Sequence, residues 1–150
     1  MKVHRLERAQ LLRHPLDEVF AFFSQARNLG RITPSWLSFN VLTPEPISMQ
    51  VGTLIEYKLR VHGVPLRWVS RIEAWEPGRA FIDRQIRGPY ALWHHRHTFE
   101  AAEDGTIVRD TVDYGLPLGP LGELAHRLFV RHDLERVFEY RHEAVERLLV

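Results

Sequence analysis

The chain has 150 residues, 45% hydrophobic and 26% charged, with a net charge of +1, the composition of an ordinary globular domain long enough to bury one sizeable core. Its charges are mixed along the chain, which argues against a nucleic-acid partner, and it has no cysteine, which excludes disulfides, thiolate metal sites and cysteine nucleophiles. No apolar run approaches the ~18–20 residues that span a bilayer, and Met1-Lys2-Val3-His4-Arg5 lacks a signal-peptide core, so a cytoplasmic protein without membrane insertion is expected.

Residues 3–13 alternate in polarity and read as a strand. Pro15 suits the first position of a helix, and Leu16, Val19, Phe20 and Phe23 follow with amphipathic helical spacing. A short helix over 25–31 stops before Thr33-Pro34, and 37–43 reads as a strand ended by Pro44 and Pro46. From Gly52 onward, strands over 53–62, 66–76, 79–87, 91–102 and 106–115 are separated by turns at Gly63-Val64-Pro65, Pro77-Gly78, Gly88-Pro89 and Asp104-Gly105. This spacing predicts an antiparallel meander. A Gly/Pro-rich linker, Gly115 to Gly122, then leads into a C-terminal helical segment. An α+β fold follows, with a curved antiparallel sheet of six to seven strands wrapped around the terminal helix as one domain over 1–150.

The strands carry polar residues where a purely structural core would have aliphatics. Phe81, Asp83 and Gln85 share one parity; so do Trp93, His95, His97 and Phe99, and so do Val108, Asp110, Val112 and Tyr114. Side chains of one parity lie on one face of a strand. If those faces meet, two imidazoles and two carboxylates share an aromatic-lined interior, where each polar group needs a partner. A two-residue Asp104-Gly105 turn would set Phe99 opposite Asp110 and His95 opposite Tyr114, while Asp83 would lie opposite His95. Three uses compete: Asp–His and Asp–Arg pairs that hold the sheet, a polar patch orienting an apolar ligand, or chemistry. For the last, His95 or His97 would be general base with Asp83 or Asp110 as orienter. His-x-His with two acids is also a conceivable zinc or iron ligand set, but the spacing is much less specific than a His-Glu-x-x-His helix. Neither metal nor cofactor is assigned. Arg8 and Gln10 could enter the same interior or face outward, whereas His94, Arg96, His126, His132 and His142 read as surface residues.

In the C-terminal segment, Leu121, Leu124, Ala125, Leu128 and Phe129 form one apolar face. Val130, Leu134, Val137, Phe138, Ala144, Val145 and Leu148 form a nearly opposite one. The change of phase predicts a kink or break near 130–133 with Asp133 as cap of the second half. The 121–129 face is expected to pack away from the main cavity, and a homodimer through it is one use. Arg141 falls in the middle of the second stripe, where it is a structural ion-pair partner, an anion-binding group at the cavity floor, or a side chain that snorkels to solvent.

The sequence resembles the START-like, SRPBCC helix-grip superfamily, in particular its bacterial ligand-binding, polyketide-cyclase-like branch. The residues that carry the resemblance are His14-Pro15-Leu16-Asp17-Glu18-Val19-Phe20-Ala21-Phe22, Thr33-Pro34, Asp83-x-Gln85-x-x-Gly88-Pro89-Tyr90-x-x-Trp93-x-His95-x-His97-x-Phe99, Gly105-Thr106, Asp110-x-Val112-x-Tyr114-x-x-Pro117-x-Gly119 and Phe138-x-Tyr140-Arg141. The resemblance implies a cavity between sheet and last helix, and it implies no particular reaction. The expected function is binding of a small, largely hydrophobic molecule with a polar or anionic group. Tyr57, Trp68, Phe81, Trp93 and Phe99 would supply the wall, and Asp83, Gln85, His95, His97, Asp110, Tyr114 and Arg141 the polar contacts. A cyclase or dehydratase using a cavity His–Asp pair is the alternative, and an interaction module with a filled core is a third.

Overall fold

Strand β1 (His4–Leu12) pairs antiparallel with β7 (Gly105–Gly115), His4 opposite Tyr114 and Leu12 opposite Thr106. Between them the chain forms α1 (Leu16–Phe23), α2 (Ala26–Arg31), a 3-10 turn (Ser35–Leu37), and strands β2 (Asn40–Val41), β3 (Leu54–Val61), β4 (Val64–Glu76), β5 (Ala80–Arg87) and β6 (Leu92–Ala102). The seven strands form one antiparallel sheet in the order β1-β7-β6-β5-β4-β3-β2. After β7 come α3 (Gly119–Ala125), a π-helical turn (His126–Val130) and α4 (Arg131–Leu148). The computed structural model describes residues 1–149.

The sheet bends because β4 is irregular. Its register against β5 shifts between Val69 and Ser70 and again between Ile72 and Ala74, and bulges of this kind sharpen strand twist and curvature. The concave face presents Ile55, Tyr57 and Leu59 of β3, Ile72 of β4, Phe81 of β5 and Val112 of β7, all buried. Helix α4 lies across this face and buries Leu134, Phe138, Ala144 and Val145. Val19 of α1 packs with Phe81, Phe99, Val108 and Val145 and closes one end. Apolar contact holds this end, so the sheet and both helices share one core.

Four local expectations are corrected. Residues 37–43 form a strand only at Asn40–Val41, because Ser35–Leu37 close a 3-10 turn and Ser38 adopts a left-handed conformation. The β3–β4 turn is His62-Gly63, both with positive φ, the geometry of a tight hairpin. Pro65 therefore sits inside β4, opposite Arg60. The β6–β7 turn is Glu103-Asp104, since Ala102 pairs with Gly105. Gly105 has φ 152 and touches β1 so closely that a Cβ would run into the Leu12 carbonyl, which is why glycine stands in the strand and not in the turn. His97 consequently faces Asp110 and His95 faces Val112; parity is kept but the register moves by two.

The C-terminal segment does not break at 130–133. The π-helical turn widens one turn of a continuous helix and rotates everything after it, so the two apolar faces point different ways. Asp133 caps nothing; it lies in the first turn of α4 and accepts a hydrogen bond of 2.7 Å from His62 Nε2 of the β3–β4 turn. Leu121, Leu124, Leu128 and Phe129 are exposed, so that face takes no part in the core of the chain.

Candidate functional site

Between the concave face, α4 and the α1–α2 layer lies a cavity of about 670 Å³, within the range that encloses most of a drug-sized molecule. Its wall is apolar: Phe22 and Leu29 from the helices, Trp36 at the rim, Tyr57 and Trp68 from neighbouring strands, and Val137 and Phe138 from α4. Trp68 and Trp93 meet edge to face at 5.1 Å, with Tyr90 packed against both. The mouth is framed by His62, Gly63, Trp36, Asp133 and Arg136; Arg136 stacks over the Trp36 ring at 4.7 Å.

The polar end is built from three strands and α4. Asp83, His95, His97 and Arg141 line the cavity, and Asp110 lies beneath them. Each aspartate stands opposite one histidine in the ladder yet bonds the other. Asp83 faces His95 but accepts a 2.6 Å hydrogen bond from His97 Nε2. Asp110 faces His97 but accepts a 2.7 Å bond from His95 Nε2. The two imidazoles stack at 3.7 Å, and Phe81 stacks on His97 at 4.1 Å. His97 Nδ1 lies 3.3 Å from Asp110 Oδ1, outside hydrogen-bond geometry, and is buried without a bonded partner among the described residues.

Electrostatics divides the cluster. Burial pushes His95 down to about 4, helped by the neighbouring His97 charge and only partly resisted by Asp110 and Asp83. Burial also opposes the charged form of His97, but Asp110 and Asp83 outweigh it and raise its pKa. The carboxyl of Asp110 is opposed by burial yet held well below its usual range, first by Arg141 and then by the two histidines. Asp83 is lowered against burial, chiefly by its bond to His97. At neutral pH the cluster therefore comprises two carboxylates, a guanidinium and a neutral His95, with His97 shifted toward its charged form.

Arg141 is the group left over. Its Nη2 lies 3.9 Å from Asp110 Oδ1, an ion pair too long for a hydrogen bond. Among the described residues nothing accepts a hydrogen bond from it; its nitrogens are not fully buried, and the residue borders both the cavity and a small pocket lined by Arg8, Gln10 and Asp110. The rings of Phe23 and Phe138 flank it at 5.6 and 5.7 Å.

Four residues read from the sequence as cavity groups lie elsewhere. Gln85 is spent on Tyr90, donating to its carbonyl and accepting from its N–H. Phe99 packs with Phe20 and Phe23 in the closed end of the core. Asp110 sits behind His95 and Arg141 and touches the cavity only through them. Tyr114 bonds His126 at 2.8 Å, outside the cavity. His126 is not a surface residue: it is 5% exposed, because the π-helical turn brings it against Tyr114. Of the two open cases, Arg8 is exposed and Gln10 donates to the His142 carbonyl of α4. Sequence reasoning missed the lining from α1, α2 and the Trp36 turn. Those residues look like ordinary amphipathic core, and no local signal separates a packed helix face from one that borders empty space.

The chain matches the family described as "Polyketide cyclase / dehydrase and lipid transport" over residues 12–139, and it belongs to that family. No curated protein matches it. Solved structures of the same fold include TTHA0849 from Thermus thermophilus, 18% identical with a TM-score of 0.71, covering 99% of this chain and 97% of that one. Ginseng major latex-like protein 151 from Panax ginseng is 12% identical with a TM-score of 0.68, covering 99% and 98%. The Zhui aromatase/cyclase from Streptomyces sp. R1128 is 16% identical with a TM-score of 0.68, covering 98% and 96%. At these identities the likeness concerns the α+β helix-grip fold.

Proposed function

We propose that the protein binds a small, largely apolar molecule whose carboxylate, enolate or carbonyl oxygen sits on Arg141. The observation that carries this reading is a guanidinium at the polar end of a cavity of about 670 Å³ with no hydrogen-bond partner among the described residues. Guanidinium cannot neutralise by losing its proton, so its donors need an acceptor. Asp110 is already engaged by His95. The aromatic wall supplies affinity, and Arg141 with Asp83 and His95 fixes orientation. Native mass spectrometry of protein purified from its own host tests the reading. A retained mass in the range of a drug-sized molecule, lost on Arg141→Met, is expected; uniformly ligand-free protein that also fails to bind aromatic or long-chain acids would refute it.

A second reading, a cyclase- or dehydratase-type enzyme, is favoured by one detail. His95 donates Nε2–H to Asp110, which leaves the Nδ1 lone pair 3.9 Å from Asp83 and open to the cavity. A neutral imidazole beside a carbonyl polarised by Arg141 is placed to take a proton from the adjacent carbon. Exchange of such protons with deuterated water, catalysed by wild type and lost in His95→Asn, separates an enzyme from a carrier.

A further inference from the structure

We infer that His4, Glu123 and His126 form a second site, outside the cavity, for a divalent metal ion of zinc-type chemistry. One ligand atom from each residue lies within 4.8 Å of the others, and none of the three lines the cavity. Two imidazoles and a carboxylate are a donor set that zinc accepts, with a fourth position left to water.

Sequence and local structure both point here. Glu123-x-x-His126 is an i, i+3 pair on one face of a helical segment, a spacing used to bring a carboxylate and an imidazole to one ion. His126 opens the π-helical turn, a distortion that recurs at functional sites. His4 is the first residue of β1, so the ion would tie the sheet edge to the segment after it. Tyr114 Oη lies 2.8 Å from His126 Nε2. An ion bound on Nδ1 would leave Nε2–H to donate to Tyr114, the kind of outer partner a metal-binding histidine keeps.

The present contacts need only side-chain adjustment. His4 Nε2 and Glu123 Oε1 are 2.8 Å apart, against about 3.3 Å between neighbouring ligands in a tetrahedral zinc site. The His4 and His126 rings stack at 3.6 Å with planes 14° apart, so they must fan open to aim at one ion. His4 is the movable partner, with a side chain 15% exposed, and Glu123 at 31% leaves the site accessible to water. Lys2 and Arg131 add positive charge nearby. Binding therefore rests on the nitrogen donors, which selects zinc over magnesium or calcium.

Titrating zinc chloride into metal-stripped full-length protein by calorimetry tests the inference, with a zinc-edge absorption spectrum counting imidazoles. One zinc per chain on two imidazoles is expected, with no competition from magnesium. Glu123→Gln, which keeps the shape and a partner for His4, should weaken zinc at least tenfold while leaving metal-free melting unchanged, and His4→Ala should weaken it further. Asp83→Asn should leave it unaltered. Absence of zinc uptake, or uptake indifferent to Glu123→Gln, would overturn the site. Loss of uptake in Asp83→Asn alone would also overturn it, by placing the ion on Asp83, His95 and His97, whose ligand atoms lie equally close.

Discussion

Arg141 Nη2 stands 3.9 Å from Asp110 Oδ1, while the same oxygen accepts a 2.7 Å hydrogen bond from His95. Asp110 thus holds His95 and lowers the cost of an unbonded guanidinium at the cavity wall without occupying its donors. The two side chains should contribute unequally to stability. Asp110→Asn removes the charge that faces Arg141, His95 and His97, and losing one side of a buried pair costs about 3–5 kcal/mol. Arg141→Met replaces a group that has no hydrogen bond to lose among the described residues and should cost less. Urea melts of the two single variants and the double variant check this. The double variant should be milder than the sum of its parts; additive losses, or Arg141→Met as the costlier change, would contradict it.

Stability should peak near pH 6.5. In the unfolded chain His95 binds a proton at its ordinary 6.5, but in the fold only at about 4. As pH falls through that window the unfolded state is favoured, by up to about 1.4 kcal/mol per pH unit. His97 acts in the other direction: its folded pKa is raised, so its contribution is complete below 6.5 and fades as pH rises through the folded value. Asp83 and Asp110, both lowered, add their loss in stronger acid. Denaturant melts across pH 4–8 should show the maximum, and His95→Asn should flatten the limb between 6.5 and 4. A limb equally steep in that variant would assign it to other groups.

Truncation before Asp133 should abolish cooperative unfolding. It removes Leu134, Phe138, Ala144 and Val145, all buried against the sheet, and uncovers the face that carries the polar cluster. Thermal melts followed by circular dichroism check the fragment 1–132. A sharp transition there would mean that the sheet and α1 form a core without α4.

Much of this architecture is legible in the sequence, for identifiable reasons. Strand parity places Asp83, His95, His97 and Asp110 on one face because a period of 2 survives an error of two residues in register. The register itself is misplaced by sequence reasoning, because Asp104-Gly105 has the chemistry of a turn while Gly105 is needed by its contact with Leu12. Arg141 stands out because a charge in an apolar stripe is anomalous whatever surrounds it. His126 does not, since the wide turn that buries it has no signature in a pattern read at about 100° per residue. Depth is equally invisible: Phe81 and Phe99 share a face pattern, yet the first lines the cavity and the second lies in the closed core.

The central claim is that Arg141 receives an acceptor group on an apolar ligand. Trp68 and Trp93 line the cavity, so quenching of tryptophan fluorescence on titration with 2-naphthoic acid, and separately with its neutral isostere 2-naphthamide, measures the claim directly. Wild type should bind the acid at least tenfold more tightly than the amide, about 1.4 kcal/mol of discrimination, and Arg141→Met should bind the two alike. Equal affinities in wild type, or a preference for the acid that survives Arg141→Met, would contradict it.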